Sequence, residues 1–177
     1  MSEELIDVLK PDGTPAGVRK KKSEVHRDGD WHRAAHVWIV TPDGRVLLQL
    51  SSLPKENHPW LWVVSAAGHL SAGENAVEAA VRETLEEIGL ALNPADLEHT
   101  ATNREQWILN DGAYIDNEIH EVFVVRRSID LSTLRLDPAE VDEVRLVPID
   151  EVLHRAAAGD PTLVPHRDGY AILHALR

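Results

Sequence analysis

The sequence predicts an α/β (α+β) fold in which helices flank a mixed β-sheet. Three observations lead to this prediction: short apolar runs separated by turn residues, one amphipathic helical pattern between glycines in the middle of the chain, and two further helical patterns near the C-terminus. With 177 residues, 43% of them hydrophobic, the chain can form one domain with a sizeable core. We therefore predict a single domain over residues 1–177.

The strands are predicted from apolar runs bounded by turn residues. Thr41-Pro42-Asp43-Gly44 predicts a hairpin between two of them, and Asn110-Asp111-Gly112 joins two longer strand-rich segments. Helices are predicted near the C-terminus at 149–158, which Gly159-Asp160-Pro161 ends, and at 169–176. The predicted strands are 5–9, 34–40, 46–50, 62–67, 97–109, 113–125 and 144–147. These elements divide the chain into an N-terminal strand and turn (1–30), a core (31–150) and a C-terminal helical segment (151–177).

The central helix carries a concentrated set of carboxylates. Asn75 followed by Glu78 predicts a capping box, and Gly89 predicts a left-handed helix end. The apolar positions recur at helical spacing and predict the buried face: Val77, Ala80, Val81, Leu85 and Ile88. Arg82, Glu83, Glu86 and Glu87 are predicted on the opposite face.

Three of these carboxylates share one helical face. Glu83 precedes Glu86 by three positions and Glu87 by four, which places them side by side. Like charges at this spacing repel each other unless a cation lies between them, and oxygen ligands suit Mg²⁺ or Mn²⁺. The alternative is a solvated acidic face without a ligand.

The segment 68–90 resembles the Nudix signature, G-x5-E-x7-R-E-U-x-E-E-x-G-U, where U is a bulky aliphatic residue. The positions in register are Gly68, Glu74, Arg82, Glu83, Glu86, Glu87, Gly89 and Leu90. Thr84 departs from the pattern and is expected to face the core. The resemblance implies an α/β/α sandwich and a Mg²⁺-dependent hydrolase of a diphosphate joined to another group.

The signature also implies a role for each of its charged residues. Glu86 and Glu87 are expected to hold Mg²⁺ or Mn²⁺, with a backbone carbonyl near Gly68. Glu83 is a third candidate ligand and the candidate for orienting or deprotonating water. Arg82 and Glu74 are expected to be structural, as an ion pair that steers the carboxylates. General base is the rival role for Glu74. Gly68 and Gly89 are also expected to be structural.

A second group of candidate ligands lies outside this helix. The chain has ten histidines, and any single one is more often a surface or core residue than a ligand. His26 and His32 flank the polar turn RDGDW, and His69 follows Gly68. Asp116 and Glu118 lie two apart in a predicted strand and therefore point to one face. If that face lines the cleft, these groups could bind a second metal.

Three stretches are similar to type I isopentenyl-diphosphate isomerases, a Nudix branch: HRAAHVWIV, NHPWLWVVSAAGHLSAGE and YIDNEIHEVF. The resemblance implies diphosphate contacts from Lys22 and Lys55, although either could be a solvated surface lysine. It also implies a metal site whose ligands fall on His26, His32, His69, Asp116 and Glu118. Asp116 stands where the isomerases usually have Glu. The alternative is that this set is an ancestral relic retained for structure or for orienting substrate.

The departures from the isomerases decide which chemistry is expected. Isomerisation requires one group to protonate the alkene and another to remove a proton. Ala67 replaces the isomerase cysteine, and the chain has no cysteine. Thr162 replaces a shielding aromatic residue, and Ser51 and Glu83 replace two phosphate-contacting arginines. The intact Arg82-Glu83 pair favours hydrolysis. The alternatives are an isopentenyl-diphosphate isomerase and a non-catalytic diphosphate-binding module.

Composition restricts the partners. A formal net charge of −12 disfavours a nucleic-acid polymer or an anionic membrane as the main partner. The Nudix resemblance implies a small-molecule diphosphate as the substrate. A homodimer is one option for assembly. The N-terminus has no apolar signal region, and a cytoplasmic location is expected. The tryptophans offer either core packing or stacking surfaces for a base or prenyl chain: Trp31, Trp38, Trp60, Trp62 and Trp107.

Overall fold

The computed structural model describes residues 3–177, so Met1 and Ser2 of the predicted N-terminal segment lie outside it. The strands are β1 (Leu5–Leu9), β2 (Pro15–Lys21), β3 (Trp31–Val40), β4 (Arg45–Ser51), β5 (Trp62–Val63), β6 (Ala66–His69), β7 (Glu98–Leu109), β8 (Tyr114–Arg126) and β9 (Val141–Pro148). The helices are α1 (Lys22–Asp28), α2 (Ala76–Ile88), α3 (Ile149–Ala157) and α4 (Arg167–His174). None of the described helices is long and apolar enough to cross a membrane.

The strands form a mixed sheet around β3. β8 runs parallel to β3 along its whole length, and β6, β1 and β4 pair with β3 in the antiparallel sense. β7 pairs with β8, β2 with β1, and β5 and β9 with β4, all antiparallel. The predicted 34–40 and 46–50 hairpin is confirmed by the pairing of Val40 with Val46.

Helices cover both faces of this sheet. Val37 and Ile39 of β3 point to one side, where they share a buried cluster with residues of α2. Trp38 and Val40 point to the other side and share a cluster with residues of α3 and α4. Because successive strand residues alternate between faces, each strand contributes to both clusters. The predicted α/β/α sandwich with a mixed sheet is confirmed.

The N-terminal segment contains more secondary structure than the predicted strand and turn. β2 and α1 follow β1, and His26 lies within α1 and not beside a turn. β2 gives no apolar alternation because all seven of its residues are partly or fully exposed. α1 has seven residues, ends at the left-handed Gly29 and is anchored by the buried Val25, so its helical pattern is too short to detect.

Two further details differ from the predictions. The apolar run 62–67 forms two short strands, because the Ser65 hydroxyl between them accepts a hydrogen bond from Ile39 N and donates one to Leu47 O. In α2 the predicted capping box and the left-handed Gly89 are confirmed. However, Leu85, predicted on the buried face, is 51% exposed, and Glu87, predicted on the opposite face, is 2% exposed. The buried stripe consists of Ala79, Ala80, Thr84, Glu87 and Ile88.

Candidate functional site

One end of the sheet presents a polar face built from four strands. Residues opposite each other in register point to the same side of a sheet. The register pairs are His32 with Glu118, Glu118 with Glu105, Asp116 with Trp107, Ala34 with both His69 and His120, and His36 with Ala67. Farther along the same side of β3, Trp38 and Val40 enter the core beneath α3 and α4. The register therefore gathers imidazoles and carboxylates on one surface, named here the polar sheet face.

Three histidines and one aspartate converge on this face. His26 is contributed by α1, and the rings of His26, His32 and His69 have centroids 5.0, 5.0 and 5.1 Å apart. One ligand atom from each of these three histidines and from Asp116 lies within 4.8 Å of the others. The nearly equal spacing leaves the rings arranged around a common point. The geometry thus brings together four of the five residues predicted to form the second metal site.

Hydrogen bonds select the ring nitrogens that face this point. His26 Nδ1 is 2.8 Å from Lys22 O, and His32 Nδ1 is 3.0 Å from Asp30 O. Because a carbonyl can only accept, each Nδ1 carries the proton and each Nε2 presents a lone pair in the neutral ring. Both Nε2 atoms and Asp116 Oδ1 are buried without a hydrogen-bond partner among the described residues. These unpaired nitrogen and oxygen donors fit a divalent metal ion.

Glu118 lies between this group and a second set of histidines. Its Oε1 is 3.5 Å from His32 Nε2 and 3.2 Å from His69 Nε2, whereas its Oε2 is 2.8 Å from His120 Nε2. Burial favours the neutral acid, but the hydrogen bond with His120 and the other two imidazoles hold the pKa of Glu118 well below its usual range. Burial lowers the pKa of His69 to about 4, so this ring is neutral at neutral pH. The structure thus brings all five predicted residues together, with Glu118 shared between two groups.

The end of the acidic helix reaches the edge of the same face. Glu87 is buried, and its Oε2 accepts hydrogen bonds from Gln49 Nε2 and from the Ala67 backbone N–H, both at 3.0 Å. Its Oε1 lies 3.2 Å from Lys55 Nζ. These contacts explain why Glu87 is buried although the sequence pattern predicts it on the exposed side of α2.

Arg82 links the other carboxylates of the signature. Its guanidinium contacts Glu74 through two hydrogen bonds, Glu83 at 2.6 Å and Glu86 at 3.0 Å. It also donates to His69 O at 3.0 Å, which ties α2 to β6. The predicted ion pair between Arg82 and Glu74 is present. It fixes the guanidinium group that also contacts Glu83.

Glu83 has an unusual environment. Burial raises the pKa of its carboxyl to about 7, with Glu87 and Glu86 adding to the rise and Arg82 opposing it. Gly68 makes room for this side chain, because a Cβ at that position would lie 2.1 Å from Glu83 Cδ. Glycine at position 68 therefore allows Glu83 to keep this position.

A cavity of about 660 Å³ connects these groups. The buried His26 and His32, together with Glu74 and Gly89, are not among its lining residues. The predicted site residues that line it are Lys22, Lys55, Gly68, His69, Arg82, Glu83, Glu86, Glu87, Asp116 and Glu118. The carboxylates of α2, named here the acidic helix, and the predicted lysines thus line the same cavity as His69, Asp116 and Glu118. These three residues and the buried His26 and His32 are named here the histidine group.

Sequence reasoning missed several other groups in and around the cavity. They are His36, His58, Glu105, His120 and His166. Two of them, His36 and His120, form a second group with the predicted Glu118, in which the ligand atoms lie within 4.8 Å of one another. Trp107, one of the tryptophans predicted to pack in the core or to offer a stacking surface, also lines the cavity. The signal available was strand parity, since His36 lies four positions after His32 and His120 two positions after Glu118. His58 and His166 lie outside the strands and gave no such signal.

Comparison with known proteins supports the resemblance to the Nudix signature. The family model described as NUDIX domain matches residues 30–166, which include the acidic helix and the polar sheet face. The chain belongs to the Nudix family. It has the fold of this family, and the charged residues of the signature lie on α2 and, for Glu74, in the loop that precedes it.

Two curated relatives and one solved structure illustrate the similarity. The chain is 41% identical to Nudix hydrolase 3 of Arabidopsis thaliana over 169 residues, which cover 94% of this chain but only 22% of the plant protein. It is 31% identical to an isopentenyl-diphosphate Delta-isomerase of Streptomyces avermitilis, covering 86% of this Nudix chain and 75% of the isomerase. DR0079 of Deinococcus radiodurans matches the fold with a TM-score of 0.69 and 17% identity, over 97% of this chain and 98% of that one.

Proposed function

We propose that this Nudix protein is a Mg²⁺- or Mn²⁺-dependent hydrolase that cleaves the diphosphate linkage of a small organic or nucleoside diphosphate. The observation that carries the proposal is the shared cavity, in which the Glu83, Glu86 and Glu87 carboxylates face the same space as His69 and Asp116. Its volume of about 660 Å³ suits a small molecule. The single-domain organisation over 1–177, a homodimer and a cytoplasmic location stay predictions.

The acidic helix would bind the diphosphate through the cation. Glu86 and Glu87 would hold Mg²⁺ or Mn²⁺, which when bound neutralises charge on the phosphate oxygens and lowers the pKa of a bound water. Glu83 would accept the proton of the attacking water, because in the metal-free protein burial raises the pKa of its carboxyl to about 7 and makes it a stronger base than an ordinary glutamate. The water oxygen forms a bond to phosphorus, the bond to the bridging oxygen breaks, and a monophosphate leaves.

The histidine group would hold a second divalent ion. His26, His32, His69 and Asp116 offer the unpaired nitrogen and oxygen donors, and Glu118 lies within reach of the same point. Through this ion the five residues would orient the substrate next to the acidic helix. The alternative role, substrate orientation or structure without a metal, predicts no tight divalent binding at these residues.

The two lysines would contact the terminal phosphate. Lys55 and Lys22 both line the cavity. Although burial opposes its charge, Glu87 and Glu140 raise the pKa of Lys55 above its ordinary value, so it remains a cation at neutral pH. Lys55 Nζ lies 3.2 Å from Glu87 Oε1, which places a positive charge beside the proposed metal ligand.

Isomerisation is the second candidate, favoured by the likeness to the Streptomyces isomerase and by the five-residue histidine and carboxylate set. Ala67 argues against it because a methyl group cannot transfer a proton. A non-catalytic module that only binds diphosphates is the third candidate, and the carboxylate face of α2 argues against it.

The proposal is tested by release of phosphate from nucleoside and prenyl diphosphates, and of mononucleotides from dinucleotide diphosphates, with Mg²⁺ and Mn²⁺ compared. Hydrolysis predicts metal-dependent release that falls at least a hundredfold in Glu86→Gln and Glu87→Gln. Glu98→Gln, on an exposed carboxylate, serves as the matched control. Conversion of isopentenyl to dimethylallyl diphosphate without phosphate release would establish the isomerase instead. Binding without turnover across the panel would establish the binding module.

A further inference from the structure

A second group of ligand-type side chains lies beside the histidine group on the polar sheet face. One ligand atom from each of His36, Glu118 and His120 lies within 4.8 Å of the others, and these three residues are named here the His36 site. All three are buried, with exposed fractions of 7%, 8% and 2% respectively. The proposed hydrolysis uses Glu118 but neither of the two imidazoles.

Two central strands hold these side chains in place. In the parallel register of β3 and β8, Ala34 lies opposite His120, and His36 lies two positions farther along the same face of β3. The rings of His36 and His120 stack with centroids 3.8 Å apart and planes 21° apart. Glu118 precedes His120 by two positions and therefore points to the same face. All three side chains thus come from paired strands in the middle of the sheet, which holds their donor atoms close together before an ion binds.

The Glu118 carboxylate turns one oxygen to each group. Oε1 is 3.5 Å from His32 Nε2 and 3.2 Å from His69 Nε2, whereas Oε2 is 2.8 Å from His120 Nε2. Two ligand atoms on one tetrahedral zinc ion are about 3.4 Å apart, so a slight movement of the His120 ring lets an ion replace the proton between these two atoms. A carboxylate with one oxygen in each group has the arrangement of a bridging ligand in a two-metal site, whose ions are about 3.5–4 Å apart.

The His36 ring is available to complete this site. Neither of its nitrogens forms a hydrogen bond with a described residue, and His36 and Glu118 both line the cavity. The neighbouring ring of His166, whose centroid is 5.4 Å from that of His36, is instead bonded through Nδ1 to Glu105 Oε2 at 2.7 Å. An ion at the His36 site would therefore have two imidazoles, one carboxylate and an open position toward the cavity, a ligand set found in catalytic zinc sites.

We propose that the His36 site binds a divalent transition-metal ion such as Zn²⁺ or Co²⁺, and that Glu118 bridges this ion to the ion of the histidine group. Nitrogen ligands favour such ions over Mg²⁺, which prefers oxygen ligands. Without an ion, His120 would only form a hydrogen bond with Glu118 and orient its carboxylate. The proposal goes beyond the proposed hydrolysis, and because metal binding is measured without substrate, the two can fail separately.

Co²⁺ binding to the EDTA-treated protein tests for the additional site. Equilibrium dialysis and visible absorption measure the equivalents that bind tightly. We expect His36→Leu and His120→Leu each to bind one equivalent less than the wild type, and His32→Gln to lose one equivalent from the histidine group. The double variant His32→Gln/His120→Leu should lose both. A double variant that loses no more than His32→Gln, or single His36 and His120 variants that keep the wild-type number, would overturn the proposal.

His166→Gln is the matched control for these variants. His166 is a buried imidazole that lines the same cavity and is bonded to Glu105, so its replacement should leave Co²⁺ binding at the wild-type number. Thermal unfolding of each variant shows that it is folded before its stoichiometry is compared.

Mn²⁺ EPR of the wild type tests the Glu118 bridge without any substitution. Two Mn²⁺ ions that share a carboxylate are exchange-coupled, so the fully loaded wild type should show the spectrum of a coupled pair. His32→Gln and His120→Leu should each show isolated ions only. Isolated ions alone in the fully loaded wild type would overturn the proposal even if no variant folds. A coupled pair in a protein that hydrolyses nothing would refute the hydrolysis and uphold the His36 site, and turnover with isolated ions alone would do the reverse.

Discussion

Arg82 and Glu74 form a two-point ion pair, with Nε to Oε1 at 2.9 Å and Nη2 to Oε2 at 2.8 Å. The same guanidinium uses its remaining nitrogen on Glu83 and Glu86, and Nη2 also reaches His69 O. Since the guanidinium is planar, fixing two of its nitrogens on Glu74 also fixes the direction of the third. The ion pair therefore sets the position of the carboxylates that face the cavity.

Replacing Arg82 with Lys should uncouple these carboxylates, because an ammonium group cannot reproduce the two-point contact. We expect the free energy of unfolding to fall by about 1.5–3 kcal/mol, the range for hydrogen bonds to charged groups. For a chain of this size that lowers Tm by about 2–4 °C for each kcal/mol. Activity should fall at least tenfold. Thermal unfolding and steady-state kinetics measure the two effects.

Glu74→Gln and the double variant complete a thermodynamic cycle. A coupling energy above about 0.5 kcal/mol is expected if the two side chains stabilise the fold as a pair. If Glu74 instead acts as the general base, Glu74→Gln will abolish turnover while Arg82→Lys leaves a measurable rate. That outcome would exchange the roles assigned to Glu74 and Glu83.

The acidic helix was predictable because its signals are local. Asn75 and Glu78 form the capping box within four residues of chain, and Gly89 ends the helix in its own backbone conformation. The burial of Glu87 was not predictable from α2 alone, because Gln49 of β4 and the Ala67 N–H of β6 bind its carboxylate. Helical periodicity predicts which face of α2 each residue occupies. Contacts with β4 and β6 then bury Glu87, which the periodicity predicts to be exposed.

The residues around the cavity also differ in how far the sequence predicts them. The strand spacing of Asp116 and Glu118 correctly predicted that they share a face, and the resemblance to the isomerases identified the three histidines. His36 and His166, which line the cavity, were missed because their place there depends on the register of β3 against β6 and of β7 against β8, together with the place where α4 begins. Those relationships join residues far apart in the chain, such as Glu105 and His166, and no local pattern encodes them.

Gly68→Ala should displace Glu83 without unfolding the protein. The added Cβ would lie 2.1 Å from Glu83 Cδ, and this atom is near the end of a flexible side chain that can move away. We expect activity to fall at least tenfold, with a loss of stability below about 3 kcal/mol, the upper range for overpacking. Kinetics and thermal unfolding would be measured together.

The Glu83→Ala background provides the control for this substitution. With the clashing carboxyl removed, Gly68→Ala should cost little further stability and no further activity. An equal stability loss in both backgrounds would show that the alanine clashes with the backbone or with another side chain, and the close approach of Glu83 would not explain the glycine.

Mn²⁺ should stabilise the protein through the histidine group. At a concentration one hundred times its Kd, an ion bound only by the folded state raises the free energy of unfolding by about 2.7 kcal/mol. His32→Gln removes a converging imidazole nitrogen, and Asp116→Asn removes the negative charge of the converging carboxylate, so each should abolish one tight Mn²⁺ site. Calorimetry after treatment with EDTA measures the number of sites, and thermal unfolding measures the stabilisation.

His99→Gln is the matched control for these two variants, because His99 is about half exposed and bonds Glu121 away from the cavity. It should bind Mn²⁺ like the wild type. If His32→Gln and Asp116→Asn also keep the wild-type number of tight sites, the histidine group holds no metal, and a structural or substrate-orienting role replaces it.

Glu83 should give the metal-free protein a distinctive dependence of stability on pH. Burial, with Glu87 and Glu86, raises the pKa of its carboxyl from 4.5 to about 7 in the folded state. Because the folded state then binds the proton more tightly than the unfolded state, the stabilisation from protonated Glu83 is complete below about pH 4.5 and is lost as pH rises through 7. The Glu83→Gln variant cannot titrate at this position. We therefore expect the unfolding free energy of the wild type, measured relative to this variant, to decline between pH 4.5 and 7 and to level off above.

Denaturant unfolding in EDTA at several pH values, for the wild type and Glu83→Gln, isolates this contribution because the other groups titrate in both proteins. Mn²⁺ should weaken the decline, since a cation beside the carboxylate favours its charged form and lowers its pKa. Parallel profiles in EDTA would show that Glu83 titrates near its ordinary pKa. In that case the carboxylate would not be poised as a base near neutral pH, and Glu74 would become the candidate for accepting the proton of the attacking water.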